Sequence, residues 1–354
     1  QQYFLVSASL QDVLSDWVEQ HGTNFTEFGR MNCFQLNDTH PACAVPELMR
    51  LLIDQYNLEW DVAWRITTNC MAYTNHTLLP EALERWSVAL FARLLPRLLE
   101  IIFEINERFL SDVKKRFPSQ PELLQRLSLV EGGDHPHIRM AYLSIVGSFS
   151  VNGVAHLHTE LLKAGLFKDF HQLWPNKFNN KTNGVTPRRW LSHCNPGLRA
   201  LITEAIGDSW EADMLHLRKI APLAEDAAFR AKFRDIKMQN KIRFANYVKE
   251  NTGVTFPTDA IFDVQVKRIH EYKRQLLNVL HVVTRYLAIL AQPDANWVPR
   301  TVIFAGKAAS SYHMAKTIIR LIHDVALVVN NDPRIGDKLK MVFIPNYGVS
   351  VAEI

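Results

Sequence analysis

One short basic segment, residues 267–274, combines residue types that could bind an anion. Its sequence, KRIHEYKR, holds four permanent cations and a single carboxylate, that of Glu271. The cations are Lys267, Arg268, Lys273 and Arg274. The segment follows a β-patterned run at 262–266 and precedes helical apolar spacing from Gln275 onward. Parallel α/β sheets bind ligands at such junctions, where free N–H groups and the helix dipole favour negative charge. The sequence therefore predicts a phosphate site.

The position of the cations separates this interpretation from a plain solvated surface. Most short basic runs are solvated faces or partner patches. Here Lys267 and Arg268 close the strand, and Lys273 and Arg274 are expected in the first helical turn, where cations oppose the dipole unless an anion is bound. The chain has no GxGxxG, no GxxxxGK[ST] and no serine elbow, which excludes the usual dinucleotide and P-loop motifs and disfavours an α/β hydrolase.

Composition indicates a soluble globular protein with two domains or parts of two. The chain has 354 residues, of which 47% are hydrophobic and 21% charged. A net charge of +4 is too mild to indicate a nucleic-acid binder. Cys33, Cys43, Cys70 and Cys194 show no CxxC spacing, so we expect reduced thiols, a cytoplasmic protein and no metal site. The most apolar stretch, 88–105, is interrupted by charges and Pro96, which argues against a membrane protein.

The first half of the chain is predicted as helices interrupted by short strands ending in polar loops. The predicted elements are a helix at 2–20, strands at 34–36 and 64–74, helices at 45–56 and 138–162, and a long helix after Trp86. In that long helix Pro96 should cause a bend, and Leu94, Leu98, Ile101 and Phe103 are expected in the core.

The second half changes from helical to alternating periodicity. Residues 174–190 are rich in turn formers, which places a domain junction there, and 210–251 is predicted as continuous helix. Beyond it the pattern is βαβαβ. Its strands lie at 262–266, 301–305 and 340–344, with helices at 271–291 and 312–329. Right-handed crossovers then give a doubly wound parallel sheet, so the fold class is α/β.

Four segments together resemble the α-glucan phosphorylases, the glycogen, starch and maltodextrin phosphorylase family. They are residues 35–41, 72–86, 180–190 and 264–275, and they occur in the family's order. The resemblance implies a two-domain, glycosyltransferase-B-like architecture with the active site between the domains. Residues 1–184 would be the carboxyl-side part of the N-terminal glucan-binding and catalytic domain. Residues 185–354 would be the first part of the C-terminal, Rossmann-like cofactor-binding domain.

The resemblance also implies an activity and a cofactor. The family uses pyridoxal 5'-phosphate to transfer the terminal glucosyl unit of an α-1,4-glucan to inorganic phosphate, giving glucose 1-phosphate with retained configuration. The cofactor's phosphate, rather than its ring, exchanges the proton. The lysine that anchors the cofactor lies in a Gly-rich segment after the motif at Tyr347, and this chain ends at Ile354 without it. We therefore expect the fragment alone to be inactive and the full-length protein to be a homodimer.

The resemblance assigns the phosphate and glucosyl contacts to residues of the matching motifs. Arg268 resembles the residue that holds the substrate phosphate, and Lys267 and Lys273 match those that neutralise the cofactor phosphate. Tyr272 matches a sugar-hydroxyl contact. His76 matches the residue that contacts the C6 hydroxyl of the glucosyl unit and assists its departure. With Arg268, Lys267 and Lys273, His76 makes up the expected catalytic group.

Further residues are implied around the sugar and the cofactor ring. Asn183 is expected beside His76 on the substrate, Asp38 and His40 along the sugar path, and Glu84 in the pocket wall. The expected ring contacts are Trp190, Val154 and Tyr347.

Two other functions remain open from the sequence. A nucleotide-sugar-dependent glucosyltransferase would share the fold but would need a diphosphate and nucleoside site and no pyridoxal, so the absorbance of the intact protein separates the two. A non-catalytic glucan-binding fragment with a vestigial basic site would bind maltodextrin but not phosphate.

Overall fold

In a computed structural model that describes residues 1–354, the chain divides into two compact units, Gln1–Gly184 and Val185–Ile354. Each contains a parallel sheet packed with helices, so the predicted α/β class is confirmed. The assignment of the units as glucan-binding and cofactor-binding stays a prediction. None of the helices combines the length and apolar character needed to cross a lipid bilayer.

The first unit has ten α-helices and seven strands. The helices are α1 (Gln2–His21), α2 (Phe28–Met31), α3 (Ala44–Arg50), α4 (Trp60–Cys70), α5 (Val88–Leu94), α6 (Pro96–Arg116), α7 (Glu122–Leu127), α8 (Met140–Gly147), α9 (His156–Leu161) and α10 (Lys168–Leu173). The strands are β1 (Phe34–Asn37), β2 (Met71–Thr74), β3 (Arg85–Ser87), β4 (Val130–Glu131), β5 (His137–Arg139), β6 (Ser150–Gly153) and β7 (Phe178–Asn180).

Strand register aligns the carboxyl ends of the main sheet of the first unit. Its order is β1-β2-β6-β7, all parallel. Asn37 lies opposite Thr74, Thr74 opposite Asn152, and Gly153 opposite Asn180. The polar residues that follow these strands therefore meet at one edge. A small antiparallel sheet, β3-β5-β4, was not predicted from the sequence.

Close helix packing supports this sheet from behind. A Cβ atom on Gly147, at the end of α8, would lie 2.5 Å from a methyl carbon of Val45 on α3. Only a glycine lets the two helices approach this closely, because every larger residue adds that atom. Val45 itself is fully buried.

One predicted element of the first unit is wrong in type, and a second is interrupted. The predicted strand at 64–74 is helix α4 up to Cys70, and only Met71–Thr74 is strand. The buried residues of α4, Ala63, Ile66, Thr67 and Cys70, follow helical spacing, which the aromatic and β-branched composition obscured. The predicted helix at 138–162 is split by β6, which adds a strand to the sheet.

The long helix after Trp86 is two helices, because the chain breaks at Leu95 and Pro96 opens α6. The predicted burial of Leu98 and Ile101 is confirmed. Leu94 and Phe103, also predicted in the core, are 61% and 43% exposed. Leu94 ends α5, before the break, so it does not continue the buried stripe of α6. Phe103 lies in α6 but off the stripe that contains Leu98, Ile101 and Ile105.

The second unit contains the predicted βαβαβ segment. Its helices are α11 (Pro196–Ile206), α12 (Ala227–Thr252), α13 (Gln275–Ala291), α14 (His313–Asn331) and α15 (Val349–Ala352), and its strands are β8 (Ile261–Val266), β9 (Arg300–Ala305) and β10 (Leu339–Ile344). All three strands are parallel, with β9 central. The continuous helix predicted at 210–251 is wrong in its first half, because 214–225 is a 3-10 segment and Asp226 caps the start of α12.

Helices cover both faces of the second sheet. Val302 and Phe304 of β9 pack in one apolar cluster with residues of α13 and α14, whereas Ile303 and Ala305 pack in another with Val248 of α12. Alternate side chains of the central strand therefore enter different cores. A strand buried on both faces appears in the sequence as a continuous apolar run, which is why β9 could be predicted.

Lys177, immediately before β7, is a lysine held in an apolar environment. Its Nζ donates a hydrogen bond to the Ile145 carbonyl oxygen at 3.1 Å and lies 3.8 Å from the centre of the Trp174 ring. Burial lowers the pKa of Lys177 to about 7. Above about pH 7 the folded state therefore favours the neutral amine.

The free energy of unfolding should depend on pH through the titration of Lys177. Its pKa falls from the ordinary 10.5 on folding, so the unfolded chain binds more protons between about pH 7 and 10.5, and stability rises with pH in that window. Between about pH 7.5 and 9.5 we expect the protein to gain about 2 kcal/mol relative to Lys177→Met. Unfolding midpoints measured across this range, with the exposed Lys114→Met as control, check the prediction. Parallel curves for the protein and Lys177→Met would contradict it.

Candidate functional site

The basic segment lies at the carboxyl edge of the second sheet. Lys267 and Arg268 follow β8 directly, and Lys307 follows β9 after Gly306. Lys273 and Arg274 bring the number of cations here to five. None of the five takes part in an ion pair. Like charges gathered without counterions are unfavourable unless an anion binds them. The five residues therefore form a cationic edge without counterions, and the anion site itself stays a prediction.

The predicted position of Lys273 and Arg274 in the first turn of a helix is wrong. Lys273 ends a 3-10 turn, Glu271–Lys273, and α13 begins only at Gln275. Arg274 between them is left-handed, with φ 60° and ψ 35°. This conformation is uncommon outside glycine and indicates a chain held by its surroundings.

Gly306 sets the distance between the loops after β8 and β9. A Cβ atom on Gly306, whose φ is +145°, would lie 1.8 Å from the Lys267 carbonyl oxygen. The Lys267 N–H donates to Ala305 and the Ile269 N–H donates to Lys307, each at 3.1 Å. Backbone pairing thus continues past the strands and requires glycine at position 306.

A buried amide fixes the first half of the basic segment. Gln275 is fully buried, its amide nitrogen donates to the Arg268 carbonyl oxygen at 3.1 Å, and its Oε1 accepts from the His270 N–H at 3.3 Å. The backbone at Arg268 is therefore positioned by the first residue of α13. Sequence analysis missed this residue, although a glutamine in the otherwise apolar start of α13 was the available signal.

Two further contacts fix the second half of the segment. Gln265 donates from its side-chain amide to the Lys273 carbonyl oxygen at 3.0 Å and accepts from Asn278 at 3.0 Å. The Tyr312 hydroxyl donates to the Glu271 carboxylate, which raises the pKa of Tyr312. The single carboxylate of the segment is thus engaged by a tyrosine and does not neutralise the cations.

The aromatic residues predicted around the sugar and cofactor lie in the same unit. Tyr272 is 56% exposed, with the Lys273 ammonium 4.6 Å from its ring centre. Trp190 is 37% exposed in the segment Arg188–His193. Tyr347, just after β10, lines an apolar cavity of about 410 Å³. The same cavity is bounded by the last residues of all three strands, Val266, Ala305 and Ile344.

In the first unit, Asp38 and His76 follow adjacent strands at the carboxyl edge. The Asp38 N–H donates to the Thr74 carbonyl oxygen at 3.0 Å, and Asp38 is left-handed with φ 69°. His76 Nε2 lies 2.6 Å from Asn37 Oδ1, so the turns after β1 and β2 are hydrogen-bonded to each other. His76 is otherwise exposed.

Glu84 joins the same edge through Thr39. Its Oε2 accepts from the Thr39 hydroxyl at 2.6 Å, and its Oε1 accepts from the Gln2 amide at 2.9 Å. His40 Nδ1 lies 3.8 Å from Glu84 Oε1. The structure therefore groups Glu84 and His40, with Thr39 as the link that the sequence did not reveal.

Val154 and Asn183 follow the other two strands of this sheet. The Asn183 N–H donates to the Val154 carbonyl oxygen at 3.0 Å, and the Lys181 N–H donates to Gly153 at 3.1 Å. The structure thus places Asp38, His76, Val154 and Asn183 after strands of the first sheet, and Lys267, Arg268 and Tyr347 after strands of the second. Their individual roles stay predictions.

The chain is a parallel α/β protein with one basic and one polar sheet edge, and open α/β sheets bind their ligands at the carboxyl ends of the strands. The sequence model of the carbohydrate phosphorylase family matches residues 1–354, and the chain belongs to that family.

Curated relatives agree in sequence over the whole chain. Muscle-form glycogen phosphorylase of Ovis aries is 52% identical over 360 residues, which cover 100% of this chain and 43% of the relative. Glycogen phosphorylase 2 of Dictyostelium discoideum is 52% identical over 355 residues, with 35% of the relative covered. Brain-form glycogen phosphorylase of Bos taurus is 50% identical, with 43% covered. The chain therefore spans less than half the length of these relatives.

Removing the buried amide should loosen the basic segment. Gln275→Leu keeps the volume but leaves the Arg268 carbonyl and His270 N–H without their partner, at a cost of about 2 to 4 kcal/mol. We expect hydrogen-exchange protection of the peptide covering 267–274 to fall by roughly two powers of ten. Mass spectrometry measures it, with the exposed Gln292→Leu as the matched control. Equal exchange in both variants would show that Gln275 does not hold the segment.

Proposed function

We propose that the protein containing this chain is an α-1,4-glucan phosphorylase. It transfers the terminal glucosyl unit of the glucan to inorganic phosphate and yields glucose 1-phosphate with retained configuration. The observation that supports this most is the set of unpaired cations held on a fixed segment after β8. The relatives named as glycogen phosphorylases support the choice of a glucan as the donor.

Electrostatics explains why such a reaction needs several cations together. A substrate phosphate close to a second phosphoryl group experiences a repulsion of about 1 to 4 kcal/mol per pair of unit charges near 4 Å. Arg268 offers a planar fork of donors that matches a phosphate, and Lys267 and Lys273 offer compact charges. We assign Arg268 to the substrate phosphate and the two lysines to the phosphate of the cofactor.

The residues present fit pyridoxal 5'-phosphate as that cofactor. The cations without counterions suit its phosphate, and the apolar cavity lined by Tyr347 opens beside β8, which ends at Val266 just before Lys267. When bound, the cofactor's phosphate group supplies an acid and base for the reaction. Trp190, Tyr347 and Val154 are the residues that we assign to its ring, and Lys267 and Lys273 hold its charge.

The polar residues of the first unit are assigned to the sugar. His76 would hold the C6 hydroxyl of the glucosyl unit through the nitrogen that now lies beside Asn37 or through its Nδ1. Asn183 is assigned to the same unit of the glucan, Asp38 and His40 to the sugar path, and Glu84 to the pocket wall. Tyr272, exposed in the second unit, would contact a sugar hydroxyl.

We also propose a cytoplasmic homodimer. The four cysteines are free, in keeping with a reducing compartment. The dimer is inferred from the family alone.

Arg268→Ala in the full-length protein should lower the rate of maltoheptaose phosphorolysis about a thousandfold or more, because it removes charge stabilisation from the attacking phosphate. The matched control is Arg274→Asn, which removes a cation from the same segment and tolerates the left-handed backbone. We expect the control to retain most activity.

Release of glucose 1-phosphate from maltoheptaose and phosphate checks this assignment. Glucosyl transfer from a nucleotide sugar to maltoheptaose, followed by release of the nucleoside diphosphate, is measured in parallel. Equal losses in the two variants would mean that total positive charge matters rather than the position of Arg268. Glucosyl transfer from a nucleotide sugar without phosphorolysis would show a glucosyltransferase instead.

A further inference from the structure

Asn75, the residue before His76, fixes the backbone of the turn after β2. It is fully buried. Its Oδ1 accepts from the Thr77 N–H at 3.0 Å, and its amide nitrogen donates to the Tyr73 hydroxyl at 3.2 Å. Its backbone N–H donates to the Asn152 carbonyl oxygen at 3.0 Å. Because a buried asparagine closes this turn, the remaining freedom of His76 lies mainly in its side-chain torsions.

Asn37, the last residue of β1, lies beside that turn. β1 pairs in parallel with β2, and Asn37 is opposite Thr74. The Asp38 N–H donates to the Thr74 carbonyl oxygen at 3.0 Å, so the pairing continues past the strand end. Gln35, on the same face of β1 as Asn37, donates to the Thr74 hydroxyl at 2.8 Å. The position of Asn37 relative to His76 is therefore set by the pairing of the two strands.

The contact between Asn37 and His76 determines where the imidazole proton lies. Asn37 Oδ1 is 2.6 Å from His76 Nε2. A carbonyl oxygen accepts hydrogen bonds and cannot donate them, so Nε2 carries the proton and donates it. In the neutral ring Nδ1 then carries no proton and presents a lone pair. Asn37 thus fixes both the orientation and the tautomer of the ring.

We propose that Asn37 is a positioning residue that orients the His76 ring and keeps Nδ1 as the hydrogen-bond acceptor for a ligand hydroxyl. In the proposed function, on which this inference rests, that hydroxyl is at C6 of the transferred glucosyl unit. Asn37 acts through His76 and does not itself contact the sugar. A sugar without the hydroxyl leaves Nδ1 unpaired, so this arrangement also favours glucose over a 6-deoxy sugar.

Two substitutions of similar shape in the full-length protein separate the acceptor from the volume of Asn37. Asn37→Asp keeps an oxygen that accepts from Nε2, whereas Asn37→Leu removes it. We expect Asn37→Leu to lower kcat for glucan extension from glucose 1-phosphate about tenfold, and Asn37→Asp to stay within about threefold of the parent protein. A loss in Asn37→Asp as large as that in Asn37→Leu would overturn the proposal.

Asn37 is exposed, so these changes should not disturb the core. If Asn37→Leu fails to fold, Asn37→Ala takes its place. The matched control is Asn176→Leu, at an exposed asparagine of the same unit, and it should retain full activity.

A donor without the C6 hydroxyl tests whether the effect passes through His76. With 6-deoxyglucose 1-phosphate there is no hydroxyl for Nδ1 to bind, so Asn37→Leu should lower kcat less than about twofold relative to the parent protein. An equal fold loss with both donors would overturn the proposal, because a general disturbance of the site affects both donors alike.

Carbethoxylation of His76 by diethyl pyrocarbonate gives a readout that does not depend on the reaction. Without the Asn37 acceptor, the ring proton can move to Nδ1 and expose a lone pair on Nε2. The rate of modification, followed by peptide mass spectrometry, should therefore rise about threefold or more in Asn37→Leu and stay at or below the parental rate in Asn37→Asp.

An unchanged rate in Asn37→Leu would refute the positioning role even in an active phosphorylase. A raised rate in a protein that neither releases nor consumes glucose 1-phosphate would support the positioning of His76 and reject the proposed function instead.

Discussion

The second unit depends on a contact that involves almost no side chain, between Gly306 and the carbonyl oxygen of Lys267. Backbone pairing beyond the strand ends brings the two loops together, and the absence of a Cβ atom allows it. The contact forces the segment after β8 to leave the sheet at a fixed point. Every cation of that segment is then placed relative to this point, so backbone geometry determines where the charges of the edge lie.

Five like charges at one edge of the sheet repel one another. The fold holds the segment that carries them with neutral side chains. Gln275 and Gln265 bind backbone atoms of the segment, and Tyr312 engages Glu271. Carboxylates in these places would have neutralised the cations, whereas amides and a phenol position the chain without reducing its attraction for phosphate. The first unit also uses neutral groups, since Asn37 hydrogen-bonds His76 and the Thr39 hydroxyl donates to Glu84.

The sequence predicted those parts of the fold whose pattern is local. Alternation of strand-like runs and helices identified β8, β9 and β10. The strands β9 and β10 are largely buried and therefore mostly apolar, whereas β8 has no fully buried residue and was identified from its Phe- and Val-containing pattern. Prediction failed for α4, where aromatic and β-branched residues masked helical spacing, and for β6, a short strand inside an apolar region. The basic segment and the motif residues were identified because their order along the chain is distinctive.

Residue types and their order thus determined, without coordinates, that the chain is α/β and which side chains resemble those of a phosphorylase, and they predicted an anion site after β8. Only the tertiary structure decided that Gln275 binds the backbone at Arg268, that Thr39 binds Glu84, that Arg274 is left-handed, and that position 306 requires glycine. The reason is physical. Charge and periodicity are properties of neighbours in sequence, whereas a hydrogen bond between turns depends on how strands far apart in the chain are paired.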